Sequence, residues 1–337
     1  MGDAKVTMAA NLNQAGPGLK VRRERSGNAI SRVVAIGECM IELSDRGQGA
    51  LALGYAGDTL NTAVYLKRAA GARIAVDYLT ALGDDPYSDS MLAFWQSEGI
   101  GTDSVARLPG KLPGLYMIKT DPAGERRFYY WRSAAAAKLM FEAPETFPLA
   151  EQIAAADLAI FSGITLSILS DAGRDRFFDV LTAARAQGTT IAYDGNYRPA
   201  GWPGAEAARG CFRRFLKLVD IALPSVDDEA NLFGPGTARD VAARLHDLGV
   251  GEVVVKQGEA GSLISIGGAE ETVPVAELVK PIDTTAAGDS FNGGYLAARL
   301  LGQSPAESAR FGGRVAASVI QHRGAIIPLD ATPRLEN

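Results

Sequence analysis

Short runs of β-branched and other apolar residues alternate with stretches of helical spacing from Arg32 almost to the end of the chain. RVVAIGE (32–38), RIAVDYLTAL (73–82), DLAIFSG (157–163), TTIAYDGN (189–196), DIALPS (220–225) and EVVVKQG (252–258) read as strands. DTLNTAVYLKRAAG (58–71) reads as a helix capped by Asp58 and stopped by Gly71, and a second helix is predicted near Pro86 to Glu98. Two more, over 287–301 and 305–321, finish the pattern. Strand–helix repetition of this kind predicts an α/β protein whose mostly parallel sheet is covered by helices on both faces.

One stretch breaks the rhythm. GLYMIKTDPAGERRFYYWR (114–132) alternates like a half-exposed strand, turns at Asp121-Pro122-Ala123-Gly124 and returns as a second strand, with no helix between. It predicts a β-hairpin, which together with material near 38–56 forms a small lid (segments near 38–56 and 107–133) over the sheet's carboxyl edge. Open α/β sheets bind ligands at that edge.

Composition narrows the function classes. Of 337 residues, 47% are hydrophobic and 22% charged, ordinary for a globular protein, and the formal net charge of -5 argues against nucleic acid or an anionic membrane as partner. No apolar run approaches the ~20 residues that span a bilayer. Cys39 and Cys211 lie too far apart for a CxxC site or a disulfide framework, which fits a reducing cytoplasm. Residues 1–30 read as a flexible leader, with Met8 as an alternative start or a transit peptide as other readings; 31–330 read as one domain and 331–337 as a tail.

The absent motifs matter as much. The Gly110-Lys111 pair is followed by Leu112, so there is no phosphate loop of the GxxxxGK[ST] type, and no GxGxxG follows the first strand. His246 and His322 have no metal-ligand spacing, and GDSFN (288–292) falls one residue short of GxSxG. Catalysis is therefore expected from carboxylates, backbone amides and arginines.

DTTAAGDSFNGGYLAARL (283–300) concentrates such groups where a helix begins. Ala286, Ala287 and Gly288 let a bulky anion approach the amides that open the helix, where unpaired N–H groups and the helix dipole favour negative charge. A carboxylate beside that anion, Asp289, makes sense as a base taking a proton from a hydroxyl; the plainer reading is a helix cap. KQGEAGS (256–262) is a tight turn in which Gly258 and Gly261 leave room near a nucleotide. In AGDTLN (56–61), Gly57 permits close approach while Asp58 and Asn61 could hold hydroxyls. Arg132 and Arg198 offer planar forks suited to a carboxylate, which points to an acidic sugar, against the plainer reading of surface ion pairs.

DTTAAGDSF resembles the carboxy-terminal signature of the ribokinase-like (PfkB) carbohydrate kinases, and the likeness runs from about Arg32 to Pro328. Within that family GECMIEL, AGDTLNTAVYL, LPGLY, FYYWR, DGNYRP and QHRGAIIP look most like members acting on 2-keto-3-deoxygluconate. The resemblance implies a three-layer α/β core with a β lid, ATP as phosphoryl donor, Mg²⁺ as counterion and an acidic sugar accepting on its 6-hydroxyl. It implies Asp289 as general base and Ala286, Ala287 and Gly288 as the anion hole. It places the nucleotide against Ser225 and against Lys256 to Ser262, including Gly258 and Gly261. Gly57, Asp58, Tyr116, Tyr130, Arg132 and Arg198 fall at sugar-contact positions. Asp283 and Thr285 fall where relatives place a monovalent cation, possible here as K⁺. Ala56 departs from the pattern, where relatives often carry a second glycine. A homo-oligomer, dimer or larger, is expected in the cytoplasm. A sister kinase for fructose, ribose or a nucleoside, a non-catalytic sugar-binding regulator and a nicotinamide dehydrogenase stay open as rivals.

Overall fold

A computed structural model describes residues 31–120 and 126–336. The predicted leader and the turn at 121–124 lie outside them. The strands, in chain order, are β1 (Ser31–Ile36), β2 (Met40–Asp45), β3 (Leu51–Ala56), β4 (Ile74–Leu82), β5 (Val105–Arg107), β6 (Gly114–Thr120) and β7 (Arg126–Trp131). They continue with β8 (Leu158–Ser162), β9 (Thr190–Asp194), β10 (Ile221–Ala222), β11 (Glu252–Lys256), β12 (Ser262–Ile266) and β13 (Ala269–Val273). The helices are α1 (Asp58–Ala70), α2 (Pro86–Ser97), α3 (Leu149–Ala155), α4 (Gly163–Ile168) and α5 (Asp171–Ala186). After them come α6 (Ala205–Leu216), α7 (Val226–Phe233), α8 (Ala238–Asp247), α9 (Ala287–Leu300) and α10 (Pro305–Val319).

Nine strands form the large sheet in the order β13-β12-β11-β10-β9-β8-β1-β4-β5. Pairings from β11 through to β5 are parallel, and β12 and β13 close one edge antiparallel. Alternation explains why the parallel strands read as unbroken apolar runs. Val33 and Ala35 of β1 join one core with α1, α2, α9 and α10, whereas Val34 and Ile36 join the opposite core with α3 to α8. Leu158 and Ile160 against Ala159 and Phe161 split the same way in β8. A strand buried on both faces has no polar side to show.

A second sheet of four strands, β3-β2-β6-β7, holds the predicted hairpin. Its strand β2 pairs antiparallel with β3 and parallel with β6. Met40, Ala56, Tyr116 and Ile118 of this sheet pack with Ala325, Ala286 and Ile326, so its inner face rests beside the start of α9. The second lid segment begins at Gly114, later than the expected 107, because Val105–Arg107 pairs with β4 in the large sheet.

Two boundaries shift for physical reasons. Gly57, in extended conformation, caps α1 and Asp58 is its first residue, its carboxylate reaching across to Asn196. The chain after 330 is docked, not trailing: Thr332 is buried, Leu335 donates its N–H to the Ala69 carbonyl at the end of α1, and Arg73 reaches the Leu335 carbonyl. No helix among the described residues is long and apolar enough to cross a membrane.

Candidate active site

The start of α9 lacks a capping side chain. Ala286 adopts left-handed backbone angles (φ 59°, ψ 16°), a conformation an L-residue adopts at a cost of about 1 kcal/mol, and so swings the chain abruptly into the helix. The Ala287 N–H turns back to the Thr284 carbonyl at 3.2 Å; those of Gly288 and Asp289 meet no carbonyl among the described residues. The result is a helix tip with open donors and the positive end of a dipole. Two glycines further along set its position. A Cβ on Gly293 would meet the Thr62 carbonyl at 2.6 Å, and one on Gly294 would meet Gly312 at 3.0 Å. Only glycine lets α1 and α10 approach α9 this closely.

That approach carries Asn61 to Asp289. The Asn61 amide donates to Asp289 Oδ2 at 2.8 Å, and the Thr62 hydroxyl donates to the Asp289 carbonyl at 3.2 Å. Burial, followed by the negative charge of Asp58, pushes the Asp289 carboxyl up to about 7, against the hydrogen bond from Asn61 and the charge of Lys256. A carboxyl poised there exchanges protons readily at neutral pH. Burial likewise raises Asp58, whose Oδ2 accepts from Asn196 at 2.8 Å. Asn61 Oδ1 is buried without a partner among the described residues.

At the carboxyl end of β9, Asp194 accepts from Asn292 of α9 at 2.7 Å and from the Lys256 ammonium at 3.3 Å. The ammonium also donates to Asn292 Oδ1 at 3.0 Å. Asp194, Asn196 and Asn292 escaped sequence reasoning, since a polar residue after a strand or inside a helix carries no distinguishing signal. The strand-ending DGN of DGNYRP was the available hint.

Beneath the small sheet, the Arg132 guanidinium donates to Glu38, whose side chain is fully buried and whose carboxyl is raised by that burial. Glu38 Oε1 and Arg132 Nε have no partner among the described residues. A Cβ on Gly57 would lie 2.1 Å from the Glu38 carbonyl, so this glycine serves the close crossing of α1 and the segment around Glu38. The Tyr116 hydroxyl donates to Glu42, and the Tyr116 and Tyr130 rings sit 5.8 Å apart, with the Arg132 guanidinium 6.0 Å from the Tyr130 centroid. Arg198 stands further out, half-exposed, donating to Asp228 at 2.8 Å. Each arginine thus has an acidic partner. Ser225 caps α7 through its hydroxyl, which accepts from the Asp228 N–H.

The loop from Lys256 to Ser262 is the β11–β12 hairpin turn. Gly258 and Gly261 have φ of 57° and 90°, and a Cβ on Gly261 would meet the Val273 carbonyl at 2.1 Å. Gly288 faces the same place: its Cβ would lie 3.3 Å from Lys256 Nζ. The turn and the α9 tip therefore meet at one lysine. Asp283 accepts from Thr285, backbone and hydroxyl, with one carboxylate oxygen and from the Gly324 N–H with the other, which ties the segment before α9 to the end of the chain. Among the described residues no three acidic, histidine or cysteine side chains gather to cage a metal ion.

The family model described as pfkB family carbohydrate kinase matches residues 30–332. A 2-dehydro-3-deoxygluconokinase from Dickeya dadantii is 48% identical over 305 residues, covering 89% of this chain and 98% of the relative. One from Escherichia coli K12 is 46% identical over 306 residues, covering 90% and 99%. Among solved structures, a 2-dehydro-3-deoxygluconokinase from Thermotoga maritima superposes with a TM-score of 0.79 at 22% identity, over 88% of this chain and 96% of that one, a likeness of fold.

Proposed function

The chain belongs to the pfkB family of carbohydrate kinases, and from that membership we propose that it transfers the γ-phosphoryl of ATP to the 6-hydroxyl of 2-keto-3-deoxygluconate. The observation that carries the chemistry is the uncapped α9 tip with Asp289 at its first turn, its carboxyl held by Asn61 and raised to about 7. The near full-length relatives supply the substrate.

In this reading the nucleotide lies along the Lys256–Ser262 turn and Ser225 with its last phosphate at Ala286–Gly288. The sugar lies between Asp58, Asn61, Tyr116, Tyr130 and Arg132, with Arg198 at its outer rim. Asp289 takes the proton as the hydroxyl oxygen bonds to the γ-phosphorus; the bond from that phosphorus to the β,γ-bridging oxygen breaks, and ADP leaves. Phosphoryl transfer needs little more than this positioning and charge stabilisation. Mg²⁺ on the phosphates would neutralise their charge. Asn61 Oδ1, Glu38 Oε1 and Arg132 Nε, buried without partners among the described residues, support a ligand rich in hydroxyls and a carboxylate. The small sheet resting at Ala286 supports a lid that excludes water, which would otherwise accept the phosphoryl. Asp283 and Thr285, tied to each other and to Gly324, would offer oxygen lone pairs to a monovalent cation such as K⁺.

A kinase for a neutral sugar is the second reading. It is favoured by one observation: Arg132 and Arg198 are already matched by Glu38 and Asp228. ADP release measured with 2-keto-3-deoxygluconate, gluconate, fructose and ribose separates the two. The proposal expects the keto-deoxy acid to exceed the neutral sugars in kcat/KM by about 10⁴-fold, the scale on which a hydrogen-bonding site rejects a ligand that leaves its buried polar groups unpaired. Equal or better use of fructose would overturn it. Exposed Leu51, Leu53, Tyr129 and Trp131 on the small sheet support self-association, which sedimentation tests.

A further inference from the structure

Asp289 and the helix dipole account for the accepting hydroxyl and for one side of the transferred group; neither explains why a lysine is buried at the same spot. Lys256 and Asp194 side chains are only 12% and 10% exposed. The ammonium lies between Asp194 of β9 and Asn292 of α9, directly beside Gly288. Asn292 is itself fully buried and spends both ends of its amide here, donating to Asp194 and accepting from Lys256.

The distances show an ammonium held but not seated. Charge-assisted bonds between ammonium and carboxylate settle near 2.7–2.9 Å. Both Lys256–Asp194 contacts are 3.3 Å. The ammonium also borders residue 288, where a Cβ would lie 3.3 Å from its nitrogen, and residue 288 is glycine.

We propose that Lys256 is a catalytic cation of the phosphoryl transfer, its ammonium meeting the transferred group at the α9 tip, and that Asp194 and Asn292 are positioning residues that hold it there. This deepens the kinase reading and rests on it. Lys256 neither gains nor loses a proton in the step. The hydroxyl oxygen bonds to the γ-phosphorus, its proton goes to Asp289, the bond to the bridging oxygen breaks, and the ammonium balances charge on the equatorial oxygens. Such a group acts on the transition state more than on bound substrate.

The network carries its own signature, because both its charges face Asp289. The groups facing that carboxyl are Asp58, Asn61 and Tyr65 from α1, Asp194 from β9 and Lys256 from β11. Lys256 lowers its pKa and Asp194 raises it.

The test compares wild type, Lys256→Met, Lys256→Arg and Asp194→Asn with ATP and 2-keto-3-deoxygluconate, reading kcat, both KM values and the acid limb of kcat/KM. Lys256→Met should lose about 10²- to 10³-fold in kcat, as for removal of an oxyanion donor, with KM for the sugar nearly unchanged. Lys256→Arg should recover part of the loss. The acid limb should move to higher pH in Lys256→Met and to lower pH in Asp194→Asn. The limb shifts report the charges alone; a merely structural network would not lose kcat at unchanged KM and regain part of it with arginine. Should Lys256→Met fail to fold, the arginine variant and the Asp194→Asn limb decide. Wild-type turnover with Lys256→Met near wild type, or with limbs that stay put or move together, overturns this inference alone. A wild-type enzyme that ignores the sugar acid overturns the kinase reading and this inference with it.

Discussion

Lowering the pH from 8 to 6 should titrate the proposed base. With its carboxyl at about 7, the ionised, proton-accepting fraction of Asp289 falls from about nine-tenths to about one-tenth. The kcat/KM for the sugar should therefore drop roughly tenfold across that range. The cause is burial first and the charge of Asp58 second, which gives the prediction a second handle. Asp58→Asn removes a charge and leaves the volume, so the limb should shift to lower pH even though the sugar is bound less well. The assay is ADP release at saturating ATP and Mg²⁺, so that ionisation of the nucleotide alone cannot follow the variant. A limb near 4, or a limb at the same pH in Asp58→Asn, would refute the reasoning.

Three further outcomes follow from the same geometry. The folded-state value of Asp289 lies above its ordinary 3.8, so its contribution to stability is present below about pH 4 and lost as the pH rises through about 7. Asp289→Asn should then raise the Tm at pH 8, with the gain shrinking toward pH 4; a lower Tm at pH 8 would contradict this. Arg132→Ala leaves Glu38 buried and unpaired and should cost about 3 kcal/mol in denaturant unfolding, which Glu38→Gln in the same chain partly restores while KM for the sugar acid stays high. Arg198→Ala, at a half-exposed ion pair, should alter stability by less than about 0.5 kcal/mol and raise KM for the sugar acid more than KM for ATP; equal effects would remove it from the sugar site.

The layered architecture was legible because β1, β8, β9 and β11 are buried on both faces and must read as continuous apolar runs. The hairpin at 114–131 was legible by its alternation, but its partners β2 and β3 were seen only as nearby material, their pattern being half-exposed. DTTAAGD announced the α9 tip, though not that Ala286 would take the left-handed turn. The rest depends on distance in sequence. Asp194 and Asn292 meet across 98 residues, and Glu38 and Arg132 across 94; nothing local marks either pair. The two arginines stay between open forks and ion pairs in the sequence, because Glu38 and Asp228 lie far from them along the chain.

Turnover by Asp289→Asn at saturating ATP and 2-keto-3-deoxygluconate tests the central claim most directly. The account predicts a loss of about 10²-fold or more in kcat, the scale of a positioned base, in a protein that folds as the wild type does. A kcat close to wild type would contradict it.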